Sequence, residues 1–183
     1  SVKGKKSINL PLGEVKITRK VKSLDIIIRT CSSVNMLTQN KNRIFEKEKI
    51  EYTLRSINSI LKSIKYAQKF TDKLSYRIFV VDHSSSKENL KKIENILESY
   101  NVEFQMTNLN LNDFDERIKK INQKNEKISS NQISNMSNIY KSLEISKKNS
   151  SDLIYFVEDD YIHEENALSE IIFTYERLSS LTG

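Results

Sequence analysis

Apolar residues along this chain follow two rhythms. Four short runs are almost continuously apolar or alternate strictly: Leu24-Asp25-Ile26-Ile27-Ile28-Arg29-Thr30, Tyr76-Arg77-Ile78-Phe79-Val80-Val81, Val102 to Thr107, and Leu153-Ile154-Tyr155-Phe156-Val157. Runs of that length, rich in β-branched and aromatic residues, predict strands buried in a sheet. Between them apolar residues recur every three or four positions, the spacing of one helix face. This predicts helices from about Ile44 to Phe70, from Ser86 through Leu97, over Gln132 to Lys147, and from about Glu165 to Leu178. In the third of these, Ile133, Met136, Ile139, Tyr140, Leu143 and Ile145 are the residues expected to pack. Cys31 to Lys41 reads as a polar loop, and Asn108 to Ser130 as a loop or weakly amphipathic helix. Residues 1–22 are basic and hold the only proline, so they read as an extension or short hairpin, with Val15 to Ile17 as a candidate edge strand.

Strands alternating with helices predict an α/β fold: three layers, α/β/α, around a mainly parallel sheet with right-handed crossovers. Residues 23–183 are expected to form one domain behind the extension 1–22, and no internal repeat is visible.

Composition narrows the function classes. With 37% apolar and 30% charged residues the profile is that of a polar globular chain, and no apolar run approaches the roughly 18 residues of a membrane span. No hydrophobic leader region follows the basic N-terminus, so a cytoplasmic location is expected, and the single Cys31 excludes an internal disulfide. Two histidines and one cysteine exclude a His/Cys zinc site, and His83 and His163 read as surface histidines. The net charge of +6 is carried by lysines set beside glutamates, without interleaved aromatics, which does not suit a nucleic-acid surface.

Candidate chemistry lies at the strand ends. The last strand runs into three adjacent carboxylates, Glu158, Asp159 and Asp160. Like charges so close need a counter-charge. A hard divalent cation with oxygen ligands would supply one, although acids opening a helix are the plainer reading. The first strand ends in Thr30, Cys31 and Ser32, and the second in Asp82, His83, Ser84 and Ser85. If the strands are parallel these tips share one rim, where open α/β sheets bind ligands. Hydroxyls, an isolated Asp and a carboxylate cluster suit a nucleoside diphosphate with its cation. Glycine-rich dinucleotide and P-loop signatures are absent.

In their order and spacing these motifs resemble the nucleotide-sugar-binding half of a GT-A-fold glycosyltransferase, closest to the family 2 type. The resemblance rests on Ile26-Ile27-Ile28-Arg29-Thr30, on Val80-Val81-Asp82-His83-Ser84-Ser85, on Asn135-Met136-Ser137-Asn138, and on Phe156-Val157-Glu158-Asp159-Asp160 followed by Ala167-Leu168. It spans roughly Leu24 to Leu178. Arg29 stands where that family commonly has proline, and Asn138 to Glu158 is about a helical turn longer than usual.

The resemblance implies a metal-dependent transfer of sugar from a UDP- or GDP-sugar to a hydroxyl of a glycan, lipid or protein acceptor. Asp160 would be the principal ligand of Mn²⁺ or Mg²⁺ in an Asp-x-Asp-like motif, with Glu158 acting through water or ribose. Asp82 would contact base or ribose, and Thr30, Cys31, Ser32, Ser84, Ser85, Asn135 and Asn138 would line the donor pocket. Asp159, at the variable position, would point into the fold or bind substrate. The acceptor half and catalytic base would lie beyond Gly183, so the sequence is expected to be truncated. A cytoplasmic enzyme of this type is compatible with peripheral attachment to the inner face of a membrane. Two other readings stand beside it: a sugar-phosphate nucleotidyltransferase, disfavoured because Cys31 to Lys41 lacks glycine, and a non-catalytic basic α/β binding module.

Overall fold

The computed structural model describes residues 16–33, 48–71, 73–114, 116–118, 120–121, 124–150 and 152–182. Among them four strands, β1 (Ser23–Thr30), β2 (Ser75–Asp82), β3 (Glu103–Asn108) and β4 (Leu153–Glu158), form one sheet in the order β3-β2-β1-β4, every neighbouring pair parallel. The helices are α1 (Lys49–Ala67), α2 (Lys87–Glu98), α3 (Ser130–Asn149) and α4 (Ala167–Thr182), and a 3-10 turn spans Leu111–Phe114.

The alternation of side chains decides which helix covers which face. Leu24, Ile26 and Ile28 of β1 pack with Ile57, Ile60 and Leu61 of α1, Ile93 and Leu97 of α2, and Leu168 and Ile172 of α4. Ile27 points the other way, with Phe79, Val81 and Ile145 of α3. The molecule is therefore a three-layer α/β/α protein with a parallel sheet. Each fully buried Ile or Leu contributes about 1.5–3 kcal/mol relative to exposure.

Topology follows from crossover handedness. From β1 to β3 the chain steps one way across the sheet, with α1 and α2 on one face. It then returns to β4 beside β1 through α3, and a right-handed crossover travelling the opposite way must lie on the opposite face. The strand order thus reverses between β1 and β4.

Two polar devices fix this arrangement. Asp25, fully buried in β1, accepts two hydrogen bonds from the paired Arg77 of β2, from Nε at 2.7 Å and Nη2 at 2.9 Å. The same Nη2 donates to the Asn149 carbonyl at the end of α3. On α1, the buried Thr53, Ser56, Ser59 and Ser63 form a row against the segment that follows β4. Thr53 Oγ1 donates to Asp159, Ser56 Oγ reaches the Glu158 carbonyl, and the backbone N–H groups of His163 and Leu168 donate to Ser59 and Ser63.

Three expectations are corrected. Lys16 and Ile17 are irregular rather than strand, and Val15 lies outside the described residues, as do residues 44–47 of the expected first helix. The final helix begins at Ala167, so Glu164 and Glu165 precede it. The apolar face of α3 is not the packed one: Met136, Ile139, Tyr140 and Leu143 are exposed, while Ser137, Asn138, Ser142, Ile145 and Ser146 face inward. Small side chains let this helix approach the sheet closely. Ser142 and Ser146 satisfy their hydroxyls on carbonyls of α3 itself, while Ser137 Oγ and Asn138 Oδ1 are buried without a hydrogen-bond partner.

Candidate functional site

Parallel pairing brings the carboxyl ends of all four strands to one rim. A cleft of about 750 Å³ opens there, between the tips of β1 and β4 and the first turns of α3. It sits at the point of strand-order reversal, where ligands of open α/β sheets bind. Thr30, Cys31, Asn135, Asn138, Glu158, Asp159 and Asp160 all line it, as do Arg29 and Lys49. The start of α3 is held by a capping box, in which Ser129 Oγ accepts from Gln132 N–H and the Gln132 side chain accepts from Ser129 N–H. Ser129 and Gln132 belong to the cleft wall, so the positive end of the helix dipole borders the cavity. A second groove of about 540 Å³, beside Lys62, Lys65 and Lys69, has Glu165 as its one carboxylate.

The three acids point in different directions. Glu158 ends β4 on the α3 side, where Arg29 of the neighbouring strand forms an ion pair with it. Arg29 also donates to Asn135 Oδ1 at 2.8 Å, tying β1, β4 and α3 together. Asp159 turns into the fold toward α1, accepting from Lys49 Nζ at 2.6 Å and Thr53 Oγ1 at 2.8 Å. Asp160 stands more open, its side chain 36% exposed, with Lys49 Nζ at 3.8 Å. The counter-charge expected from a divalent cation is supplied in part by the protein: Arg29 and Lys49 pair with these acids, leaving one net negative charge from three carboxylates and two cations.

Among the described residues, no group of three or more His, Cys, Asp or Glu side chains is arranged to hold a metal ion. A magnesium-like ion does not require one, because it is commonly held by one or two carboxylates, with substrate phosphates and water completing the shell. Asp160 and Glu158 both line the cleft, with side chains 36% and 54% exposed, so carboxylate oxygens are available there for such an ion.

Asp82 is 2% exposed and fully engaged. Its Oδ1 accepts from Thr30 Oγ1 at 2.7 Å and Ser85 Oγ at 2.6 Å, and its Oδ2 accepts from Ser85 N–H at 3.1 Å. Ser32 N–H donates to Ser85 Oγ, and Asn89 donates to Ser32 Oγ. Thr30, Ser32, Asp82 and Ser85 are therefore one network joining the β1 and β2 tips beside the cleft. Ser84 adopts a left-handed backbone (φ 64°) within that turn. The N-cap of α2 is Ser86. Asn138 donates from Nδ2 to the Val81 carbonyl at 3.1 Å, while its Oδ1 is buried without a hydrogen-bond partner.

Both histidines depart from the surface reading. His83 Nδ1 meets Ser134 Oγ at 2.7 Å, linking β2 to α3. Burial lowers its pKa, and the Asp82 charge pulls it partly back. His163 Nε2 lies 3.0 Å from the Tyr155 hydroxyl, and burial lowers its pKa against a hydrogen bond with the Tyr161 backbone.

Sequence reasoning missed Lys49 and Thr53 and gave Arg29 no role. A signal existed for two of them. An arginine next to last in an apolar strand needs a partner, and a lysine opening a helix is disfavoured by the dipole unless acids lie near.

The chain matches no protein-family model and no curated protein. Among the described residues, no helix is long and apolar enough to cross a membrane.

Proposed function

We propose that the protein binds a nucleoside-diphosphate sugar and forms the donor half of a GT-A-type glycosyltransferase acting with Mn²⁺ or Mg²⁺. The observation carrying this reading is convergence: two polar strand ends and a helix N-terminus border one cleft where the strand order reverses, and Thr30 Oγ1 joins the β2 tip to it through Asp82. Asp160 and Glu158 would hold the cation, which would neutralise charge on the departing diphosphate. The N-terminus of α3 favours phosphate oxygens through the positive end of its dipole. Asn138 Oδ1, a buried acceptor lacking a donor, suits a hydroxyl or N–H of the ligand. Thr30, Cys31, Ser32, Ser84, Ser85 and Asn135 would shape the pocket. Asp82 would serve base or ribose by exchanging one of its hydroxyl partners for the ligand. A cytoplasmic location is part of this reading, and peripheral attachment at the inner face of a membrane is compatible with it.

The test is calorimetric titration of UDP, then GDP, with and without Mn²⁺, on wild type and Asp160→Ala. Cation-dependent binding lost in the variant is expected. Binding that ignores both cation and variant, or no binding, overturns the reading. The pairing of Glu158 and Asp159 with Arg29 and Lys49 favours one rival, a non-catalytic binding module, for which no nucleotide binding is the expected result.

A further inference from the structure

Lys49 is the first residue of α1, where the helix dipole disfavours positive charge. Its ammonium is nevertheless held between two carboxylates of the cleft, 2.6 Å from Asp159 Oδ1 and 3.8 Å from Asp160 Oδ2, with only 14% of the side chain exposed. Asp159 has further donors in Thr53 Oγ1 and the Cys31 N–H, so its place does not depend on Lys49 alone.

Resting on the donor-site reading above, we propose that Lys49 is a built-in counter-ion that makes cation capture depend on the diphosphate. A divalent cation approaching Asp160 in the nucleotide-free protein meets an ammonium that already neutralises part of the acid cluster and repels it. A diphosphate changes both terms. It brings oxygen ligands for the cation and negative charge that offsets the repulsion. Cation and nucleotide therefore bind as a unit, and by linkage each strengthens the other by the same factor.

The experiment follows free Mn²⁺ by electron paramagnetic resonance as it is titrated into wild type, Lys49→Met, Lys49→Gln and Lys49→Arg, each with and without UDP. Circular dichroism checks folding. Lys49→Gln keeps a hydrogen-bond donor for Asp159, so it reports on charge even if Lys49→Met fails to fold. Wild type and Lys49→Arg are expected to take up Mn²⁺ weakly without UDP and strongly with it. The neutral variants are expected to bind Mn²⁺ alone more tightly by about 5–150-fold, the usual range of coupling between sites, with the UDP effect shrinking to match. Folded neutral variants with wild-type Mn²⁺ affinity in the absence of UDP would overturn the role of Lys49, as would a wild type that binds Mn²⁺ tightly alone. Failure of wild type to take up Mn²⁺ even with UDP would instead sink the donor site itself.

Discussion

Replacing Arg77 by methionine tests how the sheet tolerates its buried charge. Asp25 has no solvent exposure, and its carboxylate takes both hydrogen bonds from one guanidinium. Those hydrogen bonds also raise the pKa of Arg77. Methionine keeps much of the side-chain length and removes the charge, stranding a carboxylate in the interior. Breaking a buried pair from one side costs about 3–5 kcal/mol. That is a large share of the roughly 5–15 kcal/mol that holds a typical domain together. Urea unfolding followed by circular dichroism should show this loss as a lower midpoint at constant slope. The double variant Asp25→Asn/Arg77→Met should recover most of it, because no unpaired charge remains. Asp25 lies five strand residues before Thr30, about 16 Å from the cleft at 3.3 Å per residue, so ligand binding by the folded fraction should not change. A loss under about 1 kcal/mol in the single variant, or a double variant no better than the single, would refute the argument.

Two further outcomes are expected. Thr53→Val preserves shape and removes the hydroxyl that donates to Asp159, so urea unfolding should show a loss of about 1.5–3 kcal/mol; an unchanged midpoint would mean that Lys49 and the Cys31 N–H suffice to hold this acid. His163 is held below its ordinary value of about 6.5 by burial, so the unfolded chain takes its proton first as pH falls. Its contribution is fully present above about pH 6.5 and is lost as pH drops through the folded value. Between pH 7 and pH 5, His163→Gln should therefore lose less stability than wild type, with His83 supplying part of the slope that remains; equal slopes would exclude His163 as a source.

The strands were legible because each apolar run has one plausible use. Each of the four strands predicted for the sheet overlaps the observed one to within a residue at either end, as Tyr76–Val81 does with Ser75–Asp82, whereas the edge strand expected at Val15 to Ile17 is not among them. A buried parallel sheet demands apolar side chains on both faces, and the central strands β1 and β2 meet that demand apart from the paired Asp25 and Arg77, while the edge strand β3 alternates. Helix α3 was harder. Its apolar positions have helical spacing, so the element was correctly placed, but spacing alone does not say which face meets the sheet. Here the inward face is chosen by close approach and by Asn138 reaching Val81, both properties of the assembled fold. The acid cluster shows the same limit. Glu158, Asp159 and Asp160 stood out as a string, yet Arg29 and Lys49 are remote in sequence and become their partners only through strand register and the placement of α1.

The row of hydroxyls on α1 has a consequence for the entropy of binding. It fastens the chain at Asp159 and again at His163, leaving Asp160, Tyr161 and Ile162 as a three-residue bridge between two fixed posts. Asp160 is one peptide, about 3.8 Å of Cα separation, from the first post. Fixing a free backbone costs about 1–2 kcal/mol per residue. With the posts set during folding, most of that ordering precedes any ligand, and the Asp160 carboxylate waits on a tether too short to wander.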